Sequence, residues 1–407
     1  MRAIWAWPLL LLAAAAWADD DAAALQLADH ADLTAEKPRD WKLLLEAAAV
    51  AMPSRPGSQR LSADYRWDGR LSADWRGVFS DRLDQSFADS LERSHGVNTL
   101  REAYLSHEFG SDNIVDAGRI NTRYGVGLGY NPTDFLGEGA VRSVVSADQE
   151  SLRENRLGNA MLRWQKLWDA ASLTAIWSPK LADAPSGNGL SLDWGASNPR
   201  ERMLLAFSYR FSESWNPQWL LFRQRGGSPQ LGFNLSHVLS DSTVGYVEWA
   251  GGKTDSDWRR WLGAPDGNWR NRLALGATWT GENKLSLTLE GEYDGAAPDA
   301  ADWSRLRQSP FYGPYRYQMM SSTALLTQRA ALLRASWQDA VIDHLDVTAM
   351  RQASLIDHSG MNWAEVRYHL GPSDIALQWQ RFDGAPLTQY GVANGRQVWQ
   401  WVFDYFL

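Results

Sequence analysis

Seven histidines and a few closely spaced carboxylates are the residues from which hydrolytic or metal chemistry would have to be built in this chain. His107-Glu108 begins like a zinc-protease motif, but no second His follows at the spacing that puts two imidazoles on one helix face. Neither a G-x-S-x-G nucleophile elbow nor a phosphate-cradling Walker loop occurs. His358-Ser359 follows Asp357 directly, yet a triad depends on geometry across a fold and not on adjacency in the chain. Cysteine is absent, which removes thiolate catalysis and Cys-ligated zinc. Glu290 and Glu292 alternate onto one face and offer two carboxylates to a cation, although ion pairs inside a barrel explain them more simply. No catalytic, cofactor-binding or metal-binding residue is expected, and no enzyme.

Arginine is the residue type with a pattern. Turning the apolar positions of each alternating segment outward leaves Arg66, Arg76, Arg119, Arg123, Arg163, Arg210, Arg223, Arg270, Arg272, Arg334 and Arg367 on an inner face, with Glu290 and Glu292 among them. Asp64, Asp74, Glu248, Asp346 and Glu365 are also expected inward. Guanidinium rings select anions in pores, because a fixed positive charge offsets the cost of stripping water from a carboxylate or phosphate. The competing reading is that these Arg pair with the inner carboxylates and lock a filled barrel. A slip of one residue in register would exchange the two faces. The chain as a whole carries a net charge of −8 and no Lys/Arg-rich block, so nucleic acid is not an expected partner.

Residues spaced this way need strands to hold them. From Trp41 to Leu407 the chain alternates apolar and polar positions in segments of about ten residues separated by turn chemistry, the signature of an outer-membrane barrel. Clear cases are Arg202 to Phe211, Arg270 to Trp279, Leu285 to Tyr293 and Ile375 to Gln380. With 41–52 as the first strand, short connections fall at 68–69, 110–112, 168–169, 212–216, 240–242, 281–283, 339–342 and 371–373. Longer ones fall between them, including 80–97, 124–154, 179–199, 253–268 and 294–325, while 226–229 is short. Short periplasmic turns alternating with long extracellular loops predict a single all-β, transmembrane antiparallel barrel of about 18 strands, with about 16 as the alternative. In the first hairpin a loop over Trp67-Asp68-Gly69 is expected to pair Arg66 with Arg70 and Tyr65 with Leu71.

A high tryptophan content, 23 residues, asks for an apolar environment outside the protein, and Trp75, Trp164, Trp177, Trp249, Trp279, Trp337, Trp379, Trp399 and Trp401 fall on outward positions suited to interfacial girdles. Trp258, Trp261 and Trp303 lie in expected outer loops, where stacking on sugar rings is the sharper alternative. Residues 1–18 read as a signal peptide: Arg2, an apolar run and Ala16-Trp17-Ala18 predict cleavage between Ala18 and Asp19. Residues 19–40 form an acidic, Ala-rich periplasmic leader, and 41–407 the barrel.

The last segment, Gln397 to Leu407, alternates aromatic residues almost to the end and resembles the C-terminal strand read by barrel-assembly machinery, with Phe406 penultimate. The estimated strand count, signal peptide and Arg-biased inner face together resemble the alginate-export type of outer-membrane porin. That resemblance implies passive passage of an anionic solute or exopolysaccharide through the Gram-negative outer membrane. The alternative is a non-conducting barrel that serves as an assembly or anchoring component of an envelope complex. Expected partners are outer-membrane lipid, the assembly machinery, and anionic polysaccharide or small anions. The segment Gly125-Val126-Gly127-Leu128-Gly129-Tyr130-Asn131-Pro132-Thr133-Asp134-Phe135 is similar to one in porin-like bacterial proteins of unassigned function. Its glycines permit close packing, and it is a candidate to fold inward and narrow a pore, as is 294–325.

Overall fold

A computed structural model describes residues 39–407 apart from 54, 89–94, 321–323 and 392–395, so the signal peptide, the Ala18/Asp19 junction and nearly all of the acidic leader lie outside the described residues. Eighteen antiparallel strands form one sheet that closes on itself. They begin with β1 (Trp41–Met52), β2 (Arg55–Arg70), β3 (Trp75–Ala88), β4 (His95–Phe109), β5 (Asn113–Ile120) and β6 (Asn159–Leu167). The middle third is β7 (Ala171–Ser178), β8 (Arg202–Tyr209), β9 (Gln218–Gln224), β10 (Gln230–Ser240), β11 (Thr243–Thr254) and β12 (Asn268–Thr280). The last third is β13 (Leu285–Asp294), β14 (Arg329–Trp337), β15 (Leu345–Ser354), β16 (Gly360–Leu370), β17 (Ser373–Asp383) and β18 (Gln397–Phe406). The barrel shuts where β1 pairs with β18, from Leu44 opposite Phe406 to Ala51 opposite Trp399. Closure leaves no strand edge unpaired, which a lipid interior requires.

The alternation of side chains does what the sequence pattern demands. On β8, Met203, Leu205 and Phe207 are exposed while Arg202, Leu204 and Ala206 are buried. On β18 the exposed residues Trp401, Phe403 and Tyr405 share the outward row. Trp75, Trp177 and Trp279 are outward and exposed, and Trp379 meets Trp399 on neighbouring strands with ring centroids 6.3 Å apart. Both ends of the barrel chain, at β1 and β18, lie at the end that carries the short turns, the periplasmic arrangement of outer-membrane barrels.

The first hairpin corrects the expectation. β2 runs on to Arg70, the turn occupies residues 71–74, and Arg70 pairs with Arg76, Gly69 with Gly77 and Trp67 with Phe79. The physical reason is the indole of Trp67, which lies over both glycines: a Cβ on Gly69 or on Gly77 would come within 2.7 Å of it. Asp68 continues the inner row and accepts from Arg76 Nε at 2.6 Å. Asp68-Gly69 therefore extends the strands instead of turning them. Because β3 reaches Ala88, most of the long connection expected at 80–97 is strand as well. The outer connections at 225–229 and 355–359 are short, and the remaining long ones carry five helical segments: α1 (Gln149–Glu154), α2 (Trp194–Ser197), α3 (Asp257–Trp261), α4 (Ala300–Arg307) and α5 (Tyr312–Met320).

Candidate functional site

The connection from β5 to β6, residues 121–158, does not stay outside the barrel. Its Gly-rich start lies against two inner-wall glutamates, Glu248 on β11 and Glu290 on β13, both 0 % exposed. The N–H groups of Val126 and Gly127 donate to Glu248 Oε2 at 2.9 and 3.0 Å, and the N–H and hydroxyl of Thr133 to Oε1 at 2.7 and 2.8 Å. Leu128 N–H donates to Glu290 Oε2 at 2.6 Å, and Gly129 and Tyr130 N–H groups to Oε1, both at 3.0 Å. The Tyr246 hydroxyl completes this set on Glu290 Oε2 at 2.6 Å. The two carboxyl groups thus serve as acceptors for a set of backbone amides, with the loop supplying the donors and the wall the acceptors.

Only glycine fits at the points of closest approach. A Cβ on Gly125, whose φ is +105°, would lie 2.6 Å from both oxygens of Glu248, and one on Gly129 would lie 2.4 Å from Glu292 Oε1. Glu292 is buried beside Glu290, and among the described residues neither of its oxygens accepts a hydrogen bond. The Tyr130 hydroxyl donates to Asp294 at 2.8 Å.

From this anchor the loop reaches opposite walls. Tyr124, Phe135 and Leu136 fill an apolar stretch of inner wall made by Met161, Ile176, Leu204, Leu220, Phe222 and Ala250, and Phe135 stacks on Phe222 at 4.7 Å. On the other side Leu128 and Ala147 pack against Leu332, Met350, Met361 and Trp363 of β14 to β16. Further along, Gln400 of β18 donates to Val145 O at 3.1 Å and Arg142 to Asn98 O of β4 at 2.9 Å. Arg156 ties the loop to itself through Asp134, Asn121 Oδ1 and Thr122 O. α1 is capped by Asp148, which accepts from Ser151 N–H at 3.1 Å. Burial raises the Asp148 carboxyl despite the opposing Arg334, and burial lowers the Arg153 guanidinium, which donates to Gly127 O and Tyr124 O. A peptide segment fastened to walls on both sides of a barrel is a constriction of its lumen.

The arginines expected inside divide into several groups. Arg163, Arg334, Arg367, Arg270 and Arg272 face the interior and are partnered. Arg163 pairs with Asp116 at 2.8 Å, Arg367 with Glu365, Asp374 and Asp404, and Arg334 approaches Glu150 and Asp148 of α1 at 3.6 and 3.9 Å. Arg270 binds Asp266 and Gly295 O, while Arg272 donates to Gln230 and lies 5.6 Å over the Phe135 ring. Arg66 and Arg76, near the turn end, keep 48 and 46 % of their side-chain surface, against 31 and 16 % for the carboxylates they approach, Asp68 and Glu102. Arg210, also at the turn end, donates to Asp169 O at 2.7 Å, and Arg123 stands exposed on the inward loop.

Two arginines depart from the inner face. Arg119 is buried under the 179–201 connection, stacked 3.9 Å from the Trp194 ring and donating to Leu192 O at 2.8 Å and Ser197 Oγ at 3.0 Å. Gly118, at φ +143°, disturbs the strand alternation just before it. Arg223 follows Trp219 and Leu221 on the exposed outward row of β9. Glu290 and Glu292 face inward but are sealed beneath the loop. The inner wall also holds carboxylates that sequence reading missed: Glu46 and Asp84 meet Arg60 and Arg82, and Asp116 meets Arg163. Asp84 was hidden by the misplaced first turn, which assigned it to a loop; Glu46 by an Ala-rich strand with weak alternation.

The described residues of 295–328 form a cap, not a sugar platform. Trp303 of α4, Tyr312, Tyr315 and Met319 of α5, and Trp258 of α3 share one buried cluster, so the Trp258 and Trp303 rings are spent on packing. The cap is fastened by Asp357, which accepts from Trp303 Nε1 at 2.8 Å and from Gln389 N–H at 2.6 Å. Asp357 Oδ1 also takes the Ser359 hydroxyl at 2.6 Å, so this carboxylate is a structural acceptor with its neighbours. Among the described residues no group of three or more His, Asp or Glu is arranged to hold a metal.

No protein-family model and no curated protein matches the sequence. Solved structures do. The chain is similar to Pseudomonas aeruginosa OccK5 (OpdH), with a TM-score of 0.56 at 10% identity over 90% of this chain and 98% of that one. It is similar to Acinetobacter baumannii OccAB4, TM-score 0.54 at 10% identity over 90% and 97%. It is similar to Pseudomonas aeruginosa OccK7 (OpdD), TM-score 0.50 at 14% identity over 90% and 98%. At this identity the likeness shows the fold: a porin-like barrel of the kind that spans the bacterial outer membrane. The likeness gives no support to the alginate-export resemblance or to polysaccharide export.

Proposed function

We propose that this barrel is a passive channel for small anionic solutes, narrowed by residues 121–158. The observation that carries the reading is the loop anchored on Glu248 and Glu290 and packed against opposite walls. A segment in that position narrows the interior and obstructs a polymer, which argues against the exopolysaccharide. The charge preference rests chiefly on Arg123, with Arg66 and Arg76, both paired with carboxylates, adding exposed guanidinium surface. The guanidinium groups of Arg66 and Arg76 are more exposed than the carboxylates near them, and Arg123 is exposed on the constricting segment itself. Buried, paired arginines such as Arg163 and Arg367 present little free charge to a passing ion, since each neighbouring carboxylate cancels its field. No step of bond making is assigned to any residue, and the solute moves down its own gradient.

The test is the reversal potential of the refolded protein in a planar bilayer under a salt gradient, for the wild type and for an Arg66→Gln, Arg76→Gln, Arg123→Gln triple variant. Anion preference in the wild type that falls in the variant supports the reading, and an unchanged preference removes these three residues from the pathway. The inward loop also favours a second reading, a non-conducting barrel used for anchoring or assembly. Absence of conductance steps in both the intact chain and a chain lacking 124–154 would decide for it.

A further inference from the structure

Arg223, expected in the lumen, stands instead at the end of a lipid-facing row. On β9 the outward residues run Trp219, Leu221, Arg223, and across the sheet Arg223 pairs with the outward Met203, which pairs in turn with the outward Trp177. Just beyond this level, toward the loop end of the barrel, lies a concavity of about 600 Å³ lined by Trp177, Lys180, Arg200 and Arg225 together with two prolines and two carboxylates. Arg200, Arg223 and Arg225 are exposed. The two carboxylates are already engaged: Asp183 pairs with Lys180, and Glu201 lies 3.6 Å from Arg225 while accepting from Trp177 Nε1 at 3.1 Å. Three cations line the concavity against two anions, and the exposed Arg223 stands on the outward row beside it, so the patch is positive on a chain whose net charge is −8.

Height decides what the patch can meet. Arg on the lipid face of a barrel is costly at the bilayer midplane and nearly free at the interface, and Trp indoles mark the same headgroup level. A positive groove there, next to exposed apolar side chains and at the end with the long loops, faces the headgroups of the outer leaflet. Guanidinium groups suit phosphate because they offer paired N–H donors as well as charge. A second outward arginine at the loop end, Arg351, differs: it is held by Asp383 at 3.2 Å and Asn362 at 2.7 Å and opens on no such groove.

We propose that the groove lined by Lys180, Arg200 and Arg225, with Arg223 on the outward row beside it, binds the phosphate groups of a phosphorylated outer-leaflet lipid whose acyl chains lie along Trp177, Met203 and Leu221. The site is a membrane contact and is independent of whether the lumen conducts.

The test is native mass spectrometry of the full chain refolded in neutral detergent, with diphosphoryl lipid A, its dephosphorylated form and inorganic phosphate as separate probes. The expected result is retention of the diphosphoryl lipid, weakened about ten-fold or more without its phosphates, with the same loss in an Arg200→Gln, Arg223→Gln, Arg225→Gln variant. Arg351→Gln should retain the lipid as the wild type does. Equal retention of the phosphorylated and dephosphorylated lipids overturns the proposal, as does wild-type retention in the folded triple variant. Full displacement by inorganic phosphate at matched concentration overturns the lipid as source. The wild-type comparison needs no variant and stands even where the triple variant fails to fold.

Discussion

Glu248 and Glu290 are the residues on which the constriction depends, and their roles follow from the donors they collect. Burying a carboxyl group costs less when its lone pairs are taken up, and for Glu248 and Glu290 the loop does most of this with backbone amides. Glu290→Ala removes the acceptor and strands three buried N–H groups, so roughly 3 kcal/mol of loop anchoring is lost. The expected readouts are a larger unit conductance in a planar bilayer and faster proteolysis within 121–158, with the barrel still resistant to heating in detergent. Gly129→Ala should give the same phenotype from the other side of the contact, since its Cβ would meet Glu292 at 2.4 Å. The residue scale was only half legible in the sequence. Period-2 parity put Arg76, Arg163, Arg272, Arg334 and Arg367 on the correct face, because that face is fixed by the lipid-facing row beside them. Parity fails where the backbone departs from regular strand, as at Gly118 before Arg119, and it cannot tell which end of a row enters the headgroup layer, as for Arg223. It also says nothing of pairing, so the buried ion-pair group of Glu46 and Asp84 with Arg60 and Arg82 is invisible to it on both sides.

At the scale of elements, the strands were readable and the long connections were not. A strand in a barrel repeats one local rule, apolar to lipid and polar to lumen, whereas 121–158 is fixed by contacts more than a hundred residues away in sequence, such as Val126 with Glu248. The glycine spacing at 125, 127 and 129 was the one local signal that this segment comes close to another surface. The first turn was misplaced because Asp68-Gly69 has hairpin chemistry, and only the Trp67 ring lying across Gly69 and Gly77 reveals why the strands continue. Replacing 124–154 by a short flexible link should leave the closed sheet intact, since the wall strands pair independently of the loop, and should raise conductance above that of Glu290→Ala. The outer cap carries its own prediction. Burial, reinforced by the nearby Asp294 carboxylate, pushes the Asp257 carboxyl at the start of α3 up to about 7. A carboxyl raised in the folded state binds its proton more tightly there than in the unfolded chain, so its contribution is complete below the ordinary carboxylate pKa near 4 and is lost as pH rises through about 7. Proteolysis within 255–267 should therefore quicken between about pH 5 and pH 8 in the wild type relative to a reference peptide, and Asp257→Asn should flatten that dependence.

For the whole molecule, an even number of strands, closure of β1 on β18 and short turns at the end bearing both barrel termini make an outer-membrane barrel with its long loops outside. The count of eighteen came from alternation and turn spacing alone. The lumen is less positive than the arginine pattern suggested, because the opposing carboxylates are distributed over nearly as many strands. What remains is a barrel with a paired inner wall, a segment drawn across its interior, exposed but carboxylate-paired guanidinium groups at Arg66 and Arg76, and an exposed Arg123 on the segment itself. Single-channel recording in a planar bilayer under a salt gradient, comparing the intact protein with a Glu248→Ala, Glu290→Ala double variant, tests this most directly. Small, anion-preferring steps are expected in the wild type and larger steps in the variant. Silence in both, or steps of equal size, would contradict a constricted channel.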